Sequence, residues 1–250
     1  KKDGLPQVNH PFDVSFSTRY NSEFWDMVEI FESIEIWNGA TPFAAGTINA
    51  KAFKKWLSLL DEGKRLTATT GSDTHNIYGD DYFGMTEWLD WLMDIVMKHP
   101  EIYPVQMNEN VAYLTWLYKK VWPRLLSWVE QSNTPSTIHN YVYTNGKNQP
   151  QEILQAIREG HSFISNGPLI TAEINGVSYG DTATLKDNTG KLSVHVFSKK
   201  PINHLWMYTG VDKKVEICTE SGSLEGGFAY DIVTDEFDFG GASWALFVAD

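Results

Sequence analysis

The chain has 250 residues, a formal net charge of −12 at neutral pH and a single cysteine, Cys218. That length allows one large domain or two small ones around a sizeable core, and one cysteine excludes both an internal disulfide framework and a multi-cysteine zinc knuckle while leaving the compartment open. The acidic balance argues against nucleic acid as a general partner, because phosphate backbones need clustered Lys and Arg, and no apolar run approaches the roughly 20 residues of a membrane span.

No charged start followed by an apolar core reads as a signal peptide. Lys1-Lys2-Asp3-Gly4 instead leads almost at once into a strand expected over residues 5–9, which predicts that strands preceding this point in a β/α fold lie on a missing amino-terminal segment. From there the pattern alternates in the β/α manner, with a helix near 22–32, a strand at 33–37, a helix at 49–62 and a strand at 65–70. In the second helix Phe53, Trp56, Leu57, Leu59 and Leu60 recur with helical period, and Gly63 supplies the stop. Residues 76–137 break the rhythm with a stretch dense in Trp, Met, Tyr and Leu that reads as two or three amphipathic helices, either packed aromatics or a lid over a site.

A strand at Tyr141-Val142-Tyr143-Thr144 and a helix from Pro150 to Glu159 follow, then a loop, His161-Ser162-Phe163-Ile164-Ser165-Asn166-Gly167-Pro168. Beyond Pro168 short alternating runs separated by Asn-Gly, Gly-Asp and Asp-Asn turns predict an all-β module. The expected division is a β/α portion over 1–167, carrying a Trp-rich helical insertion at about 76–137, and a β-rich module over 168–250.

Three side chains stand out as metal ligands. Asp73 and His75 alternate on an extended segment after an apolar strand, so both side chains can reach one ion; Gly71 and Ser72 are expected to let the chain turn tightly before them. His10, between Asn9 and Pro11, ends another short strand and is either a ligand or a capped strand end. Glu35 is a carboxylate inside an apolar strand, which is costly unless it is paired, and it reads equally as a catalytic group or as an acceptor orienting His10 or a backbone amide. His139 and His161 are weaker candidates for steadying an anion, Ser165 and Asn166 lie in a turn that can hold an anionic oxygen or simply reverse the chain, and no catalytic part is expected for His99, His195 or His204.

Taken together, Asn9-His10-Pro11, Glu35-Ile36-Trp37-Asn38-Gly39, Gly71-Ser72-Asp73-Thr74-His75, Tyr141-Val142-Tyr143-Thr144 and the Gly160–Pro168 segment resemble, in that order, the PHP (polymerase and histidinol phosphatase) superfamily, most closely its CehA/McbA-like metallohydrolases. The similarity covers roughly residues 5–75 and 137–175. It implies an α/β fold, the carboxyl-terminal part of a distorted (β/α)7 barrel followed by a small sandwich-like β module. It also implies two or three divalent ions (Zn, Mn or Fe), with His10, Asp73 and His75 as ligands. The family's opening His-x-His strand has no counterpart in this chain, and His161 stands where the family commonly carries Arg, so an anion would lose a bidentate clamp.

The implied activity is metal-dependent hydrolysis of a small phosphorylated substrate, with an ester or carbamate as a variant, by a metal-bridging hydroxide. In that scheme Asp73 and Glu35 are the catalytic carboxylates and Asn38, His161, Ser165 and Asn166 contact the substrate. The alternative from another class is a non-catalytic protein whose β module and Trp-rich insertion bind a glycan, a peptide or a partner.

Overall fold

The computed structural model describes residues 4–12, 20, 22–39, 45–72, 138–218, 222–224 and 226–250. Contacts divide the chain into two compact units, Lys1–Gly71 with Ile138–Asp250, and Ser72–Thr137; apart from Ser72, every described residue belongs to the first.

Strands β1 (Gln7–Val8), β2 (Ser33–Asn38) and β3 (Thr67–Gly71) form a parallel sheet in that order, with Val8 opposite Ile34 and Ile34 opposite Ala68. The connection from β1 to β2 carries a short helix α1 (Ser22–Asp26) and a single 3-10 turn (Val28–Ile30), and that from β2 to β3 carries α2 (Ile48–Asp61). Thr47 caps α2 by accepting from the Ala50 N–H at 3.3 Å. The helix ends at Gly63, whose φ of +78° suits the residue without a Cβ, and Lys64 N–H then closes back on the Leu59 carbonyl at 2.9 Å. Its buried stripe, Ala52, Trp56, Leu57 and Leu59, packs on Val8, Ile34, Ile36 and Leu66. A fully buried leucine there contributes about 1.5–3 kcal/mol. The indole N–H of Trp56 donates to the Leu66 carbonyl at 2.7 Å, which fixes the large ring without orphaning its one polar atom.

The parallel run does not continue through the described residues that follow. Strand β4 (His139–Val142) pairs antiparallel with β5 (Ser162–Ser165), a strand lying inside the segment expected to be a loop. It meets β3 through one side chain: the Asn140 amide accepts from Thr70 N–H at 2.9 Å and donates to Thr70 C=O at 2.8 Å, standing in for a neighbouring strand. Helix α3 (Pro150–Arg158) between them is tied back by Arg158, which donates to Glu32 Oε2 at 2.7 Å and to the Gly4 carbonyl at 3.1 Å.

The rest is a β-sandwich. Strands β6 (Leu169–Ile174), β7 (Val177–Ser178), β8 (Thr189–Ser198), β11 (Gly222–Leu224) and β12 (Gly227–Asp238) form one antiparallel sheet in the order β11-β12-β8-β6-β7. Strands β9 (Leu205–Gly210), β10 (Lys213–Cys218) and β13 (Leu246–Ala249) form the other, in the order β10-β9-β13. Asn175 and Gly176, both at positive φ, make the two-residue turn between β6 and β7. The core between the sheets is Ala172, Leu192, Val194, Val196 and Tyr230 against Leu205 and Met207. The opposite face of the β9 sheet turns to the first core, with the Tyr208 ring edge-on to Phe53 of α2 at 5.6 Å.

These observations correct the expected fold class. Strand accounts for 42% and helix for 18% of the described structure, with several antiparallel sheets and three helices, so it is not the carboxyl-terminal part of a (β/α)7 barrel. The physical reason is local: among the described residues the edge of β3 is met by an asparagine amide rather than by a further parallel strand, and β4 pairs instead with β5. No described helix is long and apolar enough to cross a membrane.

Candidate functional site

Because β1, β2 and β3 run parallel, their carboxyl ends share one edge, and His10, Glu35, Asn38 and Gly71 lie at or near it. Glu35, only 5% exposed, organises the group. Its Oε2 accepts the backbone N–H of His10 at 2.6 Å and the Asn38 amide at 3.2 Å. Its Oε1 lies where Gly71 leaves room, since a Cβ on Gly71 would come within 2.6 Å of that oxygen. Gly71, the last residue of β3, therefore serves the site by its missing side chain. Asn38 is held in turn by Asn49 of the first turn of α2, whose side-chain oxygen accepts the Asn38 N–H at 2.9 Å.

His10 has a φ of +31°, a left-handed conformation that costs a non-glycine residue about 1 kcal/mol. The Glu35 carboxylate pins that backbone, and the imidazole Nδ1 is left buried with no hydrogen-bond partner among the described residues. His10, Pro11, Phe12, Glu35, Asn38 and Asn49 line one crevice. Beside it, the Tyr20 phenol is pushed above its ordinary pKa, chiefly by burial and further by the negative charge of Glu35, against the opposing effect of a hydrogen bond with the Asn9 backbone.

A buried imidazole nitrogen without a partner among the described residues, in a crevice that the Glu35 side chain also lines, suits a divalent cation, whose ordinary donors are neutral nitrogen and anionic oxygen. It is a partial donor set. Among the described residues no three His, Cys, Asp or Glu side chains converge as a metal group. Asp73 and His75, the other two expected ligands, lie outside the described residues, as does the Trp-rich stretch at 76–137.

The remaining candidates sit on other elements. Ser165 Oγ is taken up by its own turn, accepting from Gly167 N–H at 2.9 Å and donating to the Pro168 carbonyl, while Asn166 is exposed. His161 Nε2 lies 3.2 Å from Asp181 Oδ1, with the Glu159 carboxylate 3.7 Å from its Nδ1. An anion at that imidazole would face two competing carboxylates. His139 is exposed on β4, edge-on to Tyr141. Sequence reasoning did not find Tyr20 or Asn49. Asn49 had a weak signal, a polar residue in the first turn of an otherwise apolar helix face; Tyr20 had none.

No family model, no curated protein and no solved structure matches this chain.

Proposed function

We propose that this protein is a metal-dependent hydrolase with a small phosphoester as its favoured substrate. The observation that carries this is the buried Nδ1 of His10, without a partner among the described residues, in a crevice that Glu35 also lines at the carboxyl edge of a parallel sheet. The Gly71-Ser72-Asp73-Thr74-His75 sequence supports it, contributing Asp73 and His75 as ligands on the strength of residue type and spacing alone. When bound, divalent ions supply Lewis-acid chemistry: they lower the pKa of water towards about 7 and neutralise charge building on phosphoryl oxygens.

The chain's own groups have distinct tasks. Glu35 fixes the His10 backbone and with it the point from which the imidazole projects. Asn38, anchored by Asn49, keeps the Glu35 carboxylate in place. Tyr20 keeps its proton through neutral pH and is a hydrogen-bond donor beside a site meant for anionic oxygens.

Elemental analysis of the purified full-length protein, including any segment that precedes Lys1, tests this. About two or more equivalents of Zn, Mn or Fe are expected, and Asp73→Ala and His75→Ala should each lose metal and p-nitrophenyl phosphate hydrolysis. Hydrolysis that persists in the metal-stripped protein, or in both variants, refutes it. A second reading has one observation in its favour: Tyr141 on β4 and Tyr143 just beyond its end are exposed, with Phe163 stacked on Tyr141 at 4.9 Å, a surface suited to a glycan ring or an aromatic peptide side chain. A metal-free chain whose Tyr fluorescence responds to oligosaccharides would favour that binder instead.

A further inference from the structure

The outward face of the five-stranded sheet carries a constellation unconnected with the parallel-sheet edge. Alternate residues of β8 point to opposite faces, so Leu192, Val194 and Val196 enter the sandwich core while Ser193 and His195 face out. Asp231 of β12 lies directly across from His195 in register. Ser193 Oγ is 3.1 Å from His195 Nε2, and His195 Nδ1 is 2.6 Å from Asp231 Oδ1. A carboxylate on Nδ1 selects the tautomer whose Nε2 carries a lone pair, and that lone pair faces the serine hydroxyl, so carboxylate, imidazole and hydroxyl stand in the order that activates a nucleophile.

We propose that Ser193 is an activated nucleophile for acyl transfer from carboxylic esters, with His195 as its base and Asp231 as the residue that positions His195. Two features of the same face narrow the substrate. Val233, opposite Ser193 and 57% exposed, and Phe197, two residues beyond His195 and 42% exposed, offer apolar surface to an aryl or short acyl group. Strand β8 is paired on both sides, by β12 and by β6, so its amides are engaged in the ladder and do not form an oxyanion pocket. Reaction is therefore confined to esters with good leaving groups, such as aryl esters. Ser193 Oγ bonds to the acyl carbon as its proton passes to His195 Nε2. The proton then goes to the departing aryloxide as the ester C–O bond breaks. Water repeats the sequence on the acyl-serine, releasing the carboxylic acid and restoring the hydroxyl.

The test is to treat the full chain with p-nitrophenyl acetate in the presence of EDTA, follow p-nitrophenolate release and locate the acetyl group by peptide mass spectrometry. Acetylation of Ser193 is expected, abolished in Ser193→Ala and slowed about 100-fold in His195→Gln, the scale of a lost general base. Asp231→Asn should slow it about tenfold, an order-of-magnitude expectation for a misoriented base, and Asp231→Glu should restore most of the rate. All three side chains are on the sheet surface, so circular dichroism of the variants should match the parent. Acetyl groups confined to lysines, or a Ser193 rate unchanged in His195→Gln, would overturn the assignment. Because EDTA is present throughout, a failure here leaves the metal-dependent activity untouched, and the reverse holds too.

Discussion

Replacing Glu35 separates its role as an acceptor from its charge. Glu35→Ala removes the acceptor for two donors, the His10 backbone N–H and the Asn38 amide, in a position only 5% exposed. Each donor left buried and unsatisfied costs about 1–3 kcal/mol, so a loss of about 2–6 kcal/mol is expected before the new cavity is counted. Glu35→Gln keeps one oxygen. With that oxygen at the Oε2 position both of these donors are still served, and the charge-assisted part of their bonds is forfeited, about 1 kcal/mol. Urea unfolding at pH 7 followed by Trp fluorescence should therefore rank parent, Glu35→Gln and Glu35→Ala, with the larger gap between the last two and an unchanged m-value. If alanine and glutamine differ by less than about 0.5 kcal/mol, Glu35 is not the acceptor that pins His10, and the site described around it fails.

Asn140→Ala should destabilise the chain by about 2 kcal/mol in the same assay, because the Thr70 N–H and C=O both lose their partner, whereas Asn140→Gln, one methylene too long, recovers little. The folded chain holds the Tyr20 proton longer than the unfolded chain does, so stability linked to it is intact below about pH 10 and is lost as pH rises above that value. Tyr20→Phe should flatten that part of the stability profile between pH 9 and pH 11, in roughly the range where an ordinary phenol titrates; a profile with the same slope would show that Tyr20 does not titrate there.

Individual elements were readable where a local pattern governs them. Helix α2 follows from the period of Phe53, Trp56, Leu57 and Leu60 and the Gly63 stop, and β2 from the apolar run around Glu35. Strand β5 was hidden because four residues flanked by turn formers, Ser162–Ser165, are too short to show a period and exist by pairing with β4. The fold class was misjudged for a related reason. Repeated strand-helix order suggests parallel closure, yet whether β3 gains another parallel neighbour depends on Asn140, about seventy residues away in the chain, and nothing in the residues around Thr70 announces that contact. In the candidate site, His10 and Glu35 were legible as residue types that need an explanation at their positions. Their contact, twenty-five residues apart, was open to inference only as one of several orientations. The Ser193-His195-Asp231 arrangement was missed altogether, since Asp231 becomes relevant only through the register of β12 on β8.

Asp61, the last residue of α2, accepts from the Val211 N–H at the β9–β10 turn through one carboxylate oxygen at 3.0 Å and from the Trp244 indole through the other at 3.1 Å. With Tyr208 seated on Phe53, this makes the β9 sheet a party wall, one side belonging to the sandwich and the other to the parallel layer. Heat or denaturant should thus dismantle both in one cooperative step, and the segment after Pro168 expressed alone would bare Tyr208, Trp244 and Leu246 to water and aggregate rather than stand as a module.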